Sequence, residues 1–391
     1  MTRPTAERWR EIDHLLDQAL ELPESERSDF LTRACAGDAG LQQDVTDLLN
    51  ACERAGSGKF MEVPAAQAAA DLLEEHGDGA PGEGQSAAET EVLLEQLRQS
   101  LAPTYTVERE LAGGGMSRVF LGQEIALGRQ VVLKLLPPDL AAGVNVERFI
   151  REIRLTARLQ DPHIVPLLSA GSVPAGTREA GGREAGALLY YSMPFVDGES
   201  LRARIAREGA LPLRTAARLL HDIAGALATA HGQGVVHRDL KPENVLLSRD
   251  RALVADFGIG KAVSSAREGE TGKLTAEGLV IGTPAYMAPE QALADPGMDH
   301  RADLYAFGLI AYEMLTGAPT FAADSPKGLL TAHLLELPEP IVHRRPELPA
   351  PLASLVMRCL EKRPADRPQT AEEIIREMDE VIFGGLKSSE Q

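Results

Sequence analysis

The stretch HRDLKPEN, residues 237–244, followed twelve residues after Asn244 by DFG at 256–258, decides how this chain is read. It sets two acids, a lysine and an asparagine on two adjacent loops around a short β-like run at 245–255. That set matches what phosphoryl transfer requires: one carboxylate to orient a hydroxyl, a cation on the moving group, and oxygen ligands for Mg²⁺.

Working upstream, Lys134 lies in the apolar run VVLKLL, where an unpaired ammonium would be costly and needs an anionic partner. Arginine outnumbers lysine 32 to 8, which makes this lysine more notable, although an edge lysine whose tip reaches solvent is the alternative. Glu152, in FIREIRL on the next helical run, is the candidate partner. Further upstream, LAGGGMSRVF (111–120) puts three consecutive glycines between two strand-like runs, so backbone N–H groups can approach a phosphate. Alone it would read as a tight turn. Downstream stand GTPAYMAPE (282–290) and DLYAFG (303–308).

Together, and in this order, these motifs resemble the bacterial eukaryotic-like (Hanks-type) serine/threonine protein kinases over about residues 103–383. The resemblance implies an α+β, two-lobe protein-kinase-like fold with ATP between the lobes. A five-strand antiparallel sheet and one long helix are expected in an N-lobe at 103–193, a hinge at 194–198, and a mainly helical C-lobe at 199–383. It implies that Asp239 accepts or orients the substrate hydroxyl proton, that Lys241 neutralises the transferring γ-phosphoryl, and that Asn244 and Asp256 hold Mg²⁺. Lys134, paired with Glu152, would grip the α- and β-phosphates of ATP beneath the loop containing Ala112, Gly113, Gly114 and Gly115. Leu111, Val119, Val132 and Leu246 would sandwich the adenine, Met193 would guard the back of its pocket, and the Pro194 carbonyl and Val196 N–H would bond its edge. Glu290 would pair with Arg367, and His237 would pack rather than act as a base.

Ala112 and Ser117 stand where the family usually has glycine, and Val132 where it usually has alanine. ATP binding is expected to survive, since Gly113 and Gly115 add backbone freedom beside Gly114. Lys241 and Thr283 resemble the serine/threonine rather than the tyrosine class. Arg238 is expected to bind a phosphorylated loop residue, a charge-assisted contact; Thr275 is the expected main autophosphorylation site, with Thr271 a second candidate. An ATP-binding pseudokinase scaffold is the alternative, and the joint presence of Lys134, Asp239, Asn244 and Asp256 favours an active enzyme.

The remainder of the chain is less explicit. Of 391 residues 44% are hydrophobic and 25% charged, ordinary globular usage. The net charge of -18 is concentrated in residues 1–100, where 8 Lys+Arg face 21 Asp+Glu; acidity without a basic block argues against nucleic acid as a partner. Cys35, Cys52 and Cys359 make neither a disulfide framework nor a zinc pattern. No stretch approaches 18 consecutive apolar residues and the start is charged and helix-periodic, so a cytoplasmic location without a membrane span is expected. Residues 1–54 read as a small segment of three helices, 55–102 as a Gly/Ala/Glu-rich linker and a connecting helix ending before Pro103, and 384–391 as a polar tail. For the N-terminal segment packing against the kinase domain, partner binding and autoinhibition stay open, as does a kinase-domain dimer; protein Ser/Thr residues are the expected substrates.

Overall fold

The computed structural model describes residues 24–35, 87–112, 118–136, 145–174, 187–259, 284–323 and 325–387, with 15, 18, 19, 38, 41, 42, 45, 46 and 262 besides. The chain divides into two compact units, one of residues 61–269 and one of residues 1–60 with 270–391. The first described helix, α1 (Glu24–Ala34), follows Pro23, and residues 15, 18, 19, 41, 42, 45 and 46 are also helical, in keeping with the helical reading of this segment. The expected linker up to residue 86 lies outside the described residues.

In the unit 61–269, α2 (Ala87–Leu101) is followed by β1 (Tyr105–Ala112), β2 (Arg118–Glu124), β3 (Arg129–Leu135), α3 (Val146–Thr156), β4 (Ser169–Pro174) and β5 (Ala187–Pro194). The five strands form one antiparallel sheet, as expected, in the order β1-β2-β3-β5-β4, which the sequence did not specify. The connecting helix proves to be a cover for this sheet. Leu94, Leu97 and Leu101, on one helical face, are buried with Tyr105, Val107, Phe120, Val131, Leu133, Leu135 and Val173. At about 1.5–3 kcal/mol per fully buried leucine, that face alone stabilises the docking by several kcal/mol. Helix α3 starts at Asn145, whose side chain accepts from the Arg148 N–H, and buries Phe149, Ile153 and Thr156.

Strand β4 runs through Gly171, which sits inside the strand and does not end it. It faces Tyr190 across the ladder, and a Cβ there would lie 2.9 Å from the tyrosine ring. After β5 come β6 (Glu199–Ser200), α4 (Leu201–Glu208), α5 (Leu213–Gly232), β7 (Val245–Ser248) and β8 (Arg251–Val254), with β6-β7-β8 a second small sheet. Arg249 and Asp250, at φ 48° and 61°, form the tight turn of the β7–β8 hairpin. Asp222 on α5, 2% exposed, accepts from the Ala252 N–H at 3.0 Å and the Arg251 Nε at 2.9 Å, pinning the hairpin to that helix.

The other unit contains α6 (Pro289–Ala292), α7 (Arg301–Thr316), α8 (Pro326–Leu335), α9 (Ile341–Arg344), α10 (Ala350–Cys359) and α11 (Ala371–Lys387). Helix α7 is buried from Ala302 to Leu315, the mark of a central helix. Leu15, Ala19, Leu31, Cys35, Leu41 and Val45 share one buried cluster with Met287, Ala292, Leu330 and Leu334. The N-terminal segment is therefore packed on α6 and α8.

Candidate active site

The β7–β8 hairpin sets the spacing of the site. Residues 237–244 enter it and 255–258 leave it; the Asn244 N–H to the Lys241 carbonyl (2.9 Å) closes a turn within the entering loop, and the Ala255 N–H to the Asn244 carbonyl (2.8 Å) ties the two loops together. His237 is fully buried beneath them. Its Nε2 lies 2.8 Å from the Ala255 carbonyl, its Nδ1 accepts the Asp239 N–H at 3.2 Å, and its ring is 4.7 Å from Phe257. Both ring nitrogens serve the backbone, so His237 is a strut. Arg238 and Asp256 sit at φ 69° and 66°, a left-handed conformation that costs a non-glycine residue energy and persists where surrounding structure enforces it.

In the entering loop, Lys241 Nζ stands 2.9 Å from Asp239 Oδ2, and Asn244 Nδ2 donates to the Asp239 backbone carbonyl at 2.8 Å. In the leaving loop, Asp256 is held through both carboxylate oxygens: Lys134 Nζ donates to Oδ2 at 2.5 Å and the Tyr191 hydroxyl to Oδ1 at 2.7 Å. Burial pushes the Asp256 carboxyl up, but the Lys134 ammonium and the hydrogen bonds from Lys134 and Tyr191 outweigh it and hold the pKa below the ordinary value. Burial, reinforced by the Asp256 charge, pushes the Tyr191 phenol well above its usual pKa, so it remains a donor.

One expectation is corrected here. Lys134 is paired with Asp256, not with Glu152. Asp256 is the more deeply buried anion and would be the costlier to leave without a cation, whereas the half-buried Glu152 on α3 keeps contact with water. Tyr191 was missed by the sequence reading. A signal existed: alternation along LYYSMP puts residue 191 on the same strand face as Met193, and a hydroxyl on that face must find a partner.

Beside this charged cluster, Val132, Val165, Met193 and Ala255 form a buried apolar group against which Leu111, Val119, Phe195, Val196, Leu246 and Leu253 pack. Six of these are the residues expected to surround an adenine; Val165, Ala255, Phe195 and Leu253 were not foreseen. Pro194, the end of β5, pairs with Val131. Gly113, Gly114, Gly115, Thr271 and Thr275 lie outside the described residues, as does the Ala112 side chain.

Residues 105–378 match the model of the protein kinase domain. The chain belongs to the protein kinase family. Among curated proteins, the serine/threonine-protein kinase pkn3 of Myxococcus xanthus is 38% identical over 295 residues, 73% of this chain and 51% of that protein. The serine/threonine-protein kinase PknB of Mycobacterium leprae (strain TN) is 36% identical over 286 residues, 73% of this chain and 44% of that protein. The chain thus spans about half the length of the curated relatives it matches. Among solved structures, the Mycobacterium tuberculosis PknI kinase domain superposes with a TM-score of 0.53 at 31% identity, covering 71% of this chain and 96% of that one.

The other unit holds a buried charge pair of its own. Glu290 and Arg367 form a two-pronged pair at 2.6 and 2.8 Å with almost no side-chain exposure, as the resemblance implied. Protein kinases generally use ATP with Mg²⁺, and the donor set fits that ion. Asp256 offers carboxylate oxygens, and the Asn244 amide nitrogen is committed to Asp239, so that its oxygen would be the atom to meet a cation. Among the described residues no three His, Cys, Asp or Glu side chains gather into a metal cage; Mg²⁺ is commonly held by one or two protein oxygens together with substrate phosphates. Among the same residues no helix is long and apolar enough to cross a membrane.

Proposed function

We propose that this chain is a serine/threonine protein kinase that transfers the γ-phosphoryl group of ATP to serine and threonine hydroxyls of proteins. The observation that carries the reading is the pairing of Asp239 with Lys241 at 2.9 Å, in a loop tied to the one that presents Asp256 by the Ala255 N–H to the Asn244 carbonyl and by His237 Nε2 at the Ala255 carbonyl. Asp239 takes the hydroxyl proton as the oxygen forms its bond to phosphorus and the bond to the ADP oxygen breaks. Lys241 moves with the transferring group and offsets its charge. Lys134 binds the α- and β-phosphates, with the backbone at Gly113, Gly114 and Gly115 over them. The cluster around Val132 and Met193 takes the adenine, whose edge bonds the Pro194 carbonyl and the Val196 N–H; Pro194 lacks only the N–H that this contact does not use. Mg²⁺, when bound by Asp256 and Asn244, neutralises phosphate charge.

In this reading Lys241 and Thr283 specify serine and threonine, Thr275 is the main autophosphorylation site, Thr271 a second, and Arg238 receives the loop phosphate. The enzyme works in the cytoplasm, and the N-terminal segment, seated on α6 and α8, is where a partner or an inhibitory contact would act. The test is incubation of the purified protein with Mg²⁺-ATP followed by intact mass and phosphosite mapping. Added phosphate on serine and threonine is expected, Thr275 included. Asp239→Asn, which keeps size and removes the accepting carboxylate, should lose about 10²–10⁴ in rate. Wild-type autophosphorylation in that variant would overturn the assignment.

A further inference from the structure

We propose that Tyr191 is a positioning residue for phosphoryl transfer: its hydroxyl holds the Asp256 carboxylate in the orientation in which that group ligates Mg²⁺. The inference rests on the reading of Asp256 as a Mg²⁺ ligand. Asp256 Oδ1 accepts from Tyr191 at 2.7 Å while Oδ2 accepts from Lys134 at 2.5 Å, so two donors on opposite oxygens set the rotation of the carboxylate. The two donors are themselves registered, since Lys134 and Tyr191 are direct partners in the β3–β5 ladder. Tyr191 is 1% exposed and its ring cannot swing away.

The two donors differ in what they do when nucleotide arrives. Lys134 is a mobile cation that the phosphates compete for, and as it turns toward them its hold on Asp256 weakens. Tyr191 is neutral, rigid and not attracted to phosphate, so it keeps the carboxylate in place when Lys134 is drawn off. One donated hydrogen bond takes one of roughly four lone-pair directions of a carboxylate and leaves the others for a cation. This is the arrangement in which an outer partner orients a metal ligand, and loss of such partners typically costs about 10–100-fold in metal affinity or activity.

The test is Tyr191→Phe, which removes only the hydroxyl, beside Tyr190→Phe on the opposite strand face. Mg²⁺ is titrated calorimetrically into each protein saturated with a non-hydrolysable ATP analogue, and the Mg²⁺ dependence of phosphorylation is measured in parallel. Tyr191→Phe should bind Mg²⁺ about tenfold more weakly and need about tenfold more for half-maximal rate, with most of the rate recovered at saturating Mg²⁺. Tyr190→Phe should match the wild type. A folded Tyr191→Phe whose Mg²⁺ affinity is within twofold of wild type, or tighter, overturns the proposal. If thermal melting shows that variant unfolded at the assay temperature, both titrations are repeated below its melting temperature, where the same tenfold weakening is expected and an affinity within twofold of wild type overturns the proposal. Asp256→Asn separates the premise from the inference: wild-type Mg²⁺ affinity there overturns the ligand assignment and the role of Tyr191 with it.

Discussion

Removing either partner of the Glu290–Arg367 pair should destabilise the protein by more than removing both would suggest. A guanidinium carries five N–H donors, and at Arg367 all five are used. Nε donates to the Glu361 carbonyl at 2.8 Å, Nη1 to Glu290 and the Arg301 carbonyl at 2.6 and 2.9 Å, and Nη2 to Glu290 and the Lys362 carbonyl at 2.8 and 2.9 Å. The plane also lies 4.8 Å from the Tyr305 ring centroid. Glu290→Met leaves a buried cation facing neutral acceptors, a cost of about 3–5 kcal/mol. Arg367→Met leaves a buried carboxylate and three carbonyls short of donors, at about 1–3 kcal/mol for each group that water cannot reach, so it should be the worse of the two. The double variant removes both charges together and should cost about 2–4 kcal/mol less than the sum of the singles. Urea unfolding followed by far-ultraviolet circular dichroism, with the midpoint and slope fitted for all four proteins, measures the coupling. Effects that add to within about 0.5 kcal/mol would refute the reasoning, because independent sites behave that way.

Gly258 has φ 66°, and a Cβ there would lie 2.7 Å from Thr156 Oγ1, so Gly258→Ala should lower the melting temperature and the phosphorylation rate, and Thr156→Ala added to it should recover part of the melting temperature. Leu31 is 2% exposed in the cluster with Leu330 and Leu334, so Leu31→Ala should cost about 2–5 kcal/mol in urea unfolding; a loss below about 0.5 kcal/mol would mean the N-terminal segment is not seated there. Burial, with the nearby Lys362 charge, pushes His333 down to about 3, well below its ordinary value near 6.5. The unfolded chain therefore binds the proton that the folded one refuses. Stability should fall as pH drops from about 6.5 toward 3, by at most about 1.4 kcal/mol per pH unit from this group. Thermal melting from pH 7 to 4 checks it, and His333→Asn should flatten the slope.

What the sequence revealed and what it hid divide along a physical line. HRDLKPEN and DFG were legible because the chemistry lies in side chains a few residues apart; the run at 245–255 that joins them read as one short β-like stretch and is a hairpin of two strands. The five-strand sheet was legible through the family resemblance that these motifs carry. The partner of Lys134 was not, because it comes from a residue 122 positions away and is chosen by relative burial, which no local pattern encodes. Tyr191 was hidden for a related reason: its ring reads as one more apolar residue of a strand, and only the register with Lys134 reveals where its hydroxyl goes. Leu94, Leu97 and Leu101 announced a helix with one apolar face, yet nothing in the spacing says which surface that face covers. The role of Gly171 is equally hidden, since a glycine that makes room for a neighbouring ring looks the same in sequence as one that ends a strand.

The division of labour between the two basic residue types follows from the same geometry. With 32 arginines to 8 lysines in the chain, two of those few lysines face the carboxylates of the candidate site, Lys134 on Asp256 and Lys241 on Asp239. An ammonium on a flexible stem is a point charge that trades one oxygen partner for another with little rearrangement, which the proposed mechanism demands of a cation that must leave a carboxylate for a phosphate. A guanidinium bound as Arg367 is would have to break five hydrogen bonds at once to move. The residue type thus separates the cations that the proposed mechanism moves, in the unit 61–269, from the one that braces the helices of the other unit. Tyr191 belongs with the framework: a fixed, neutral donor whose value lies in staying on Asp256 when Lys134 departs.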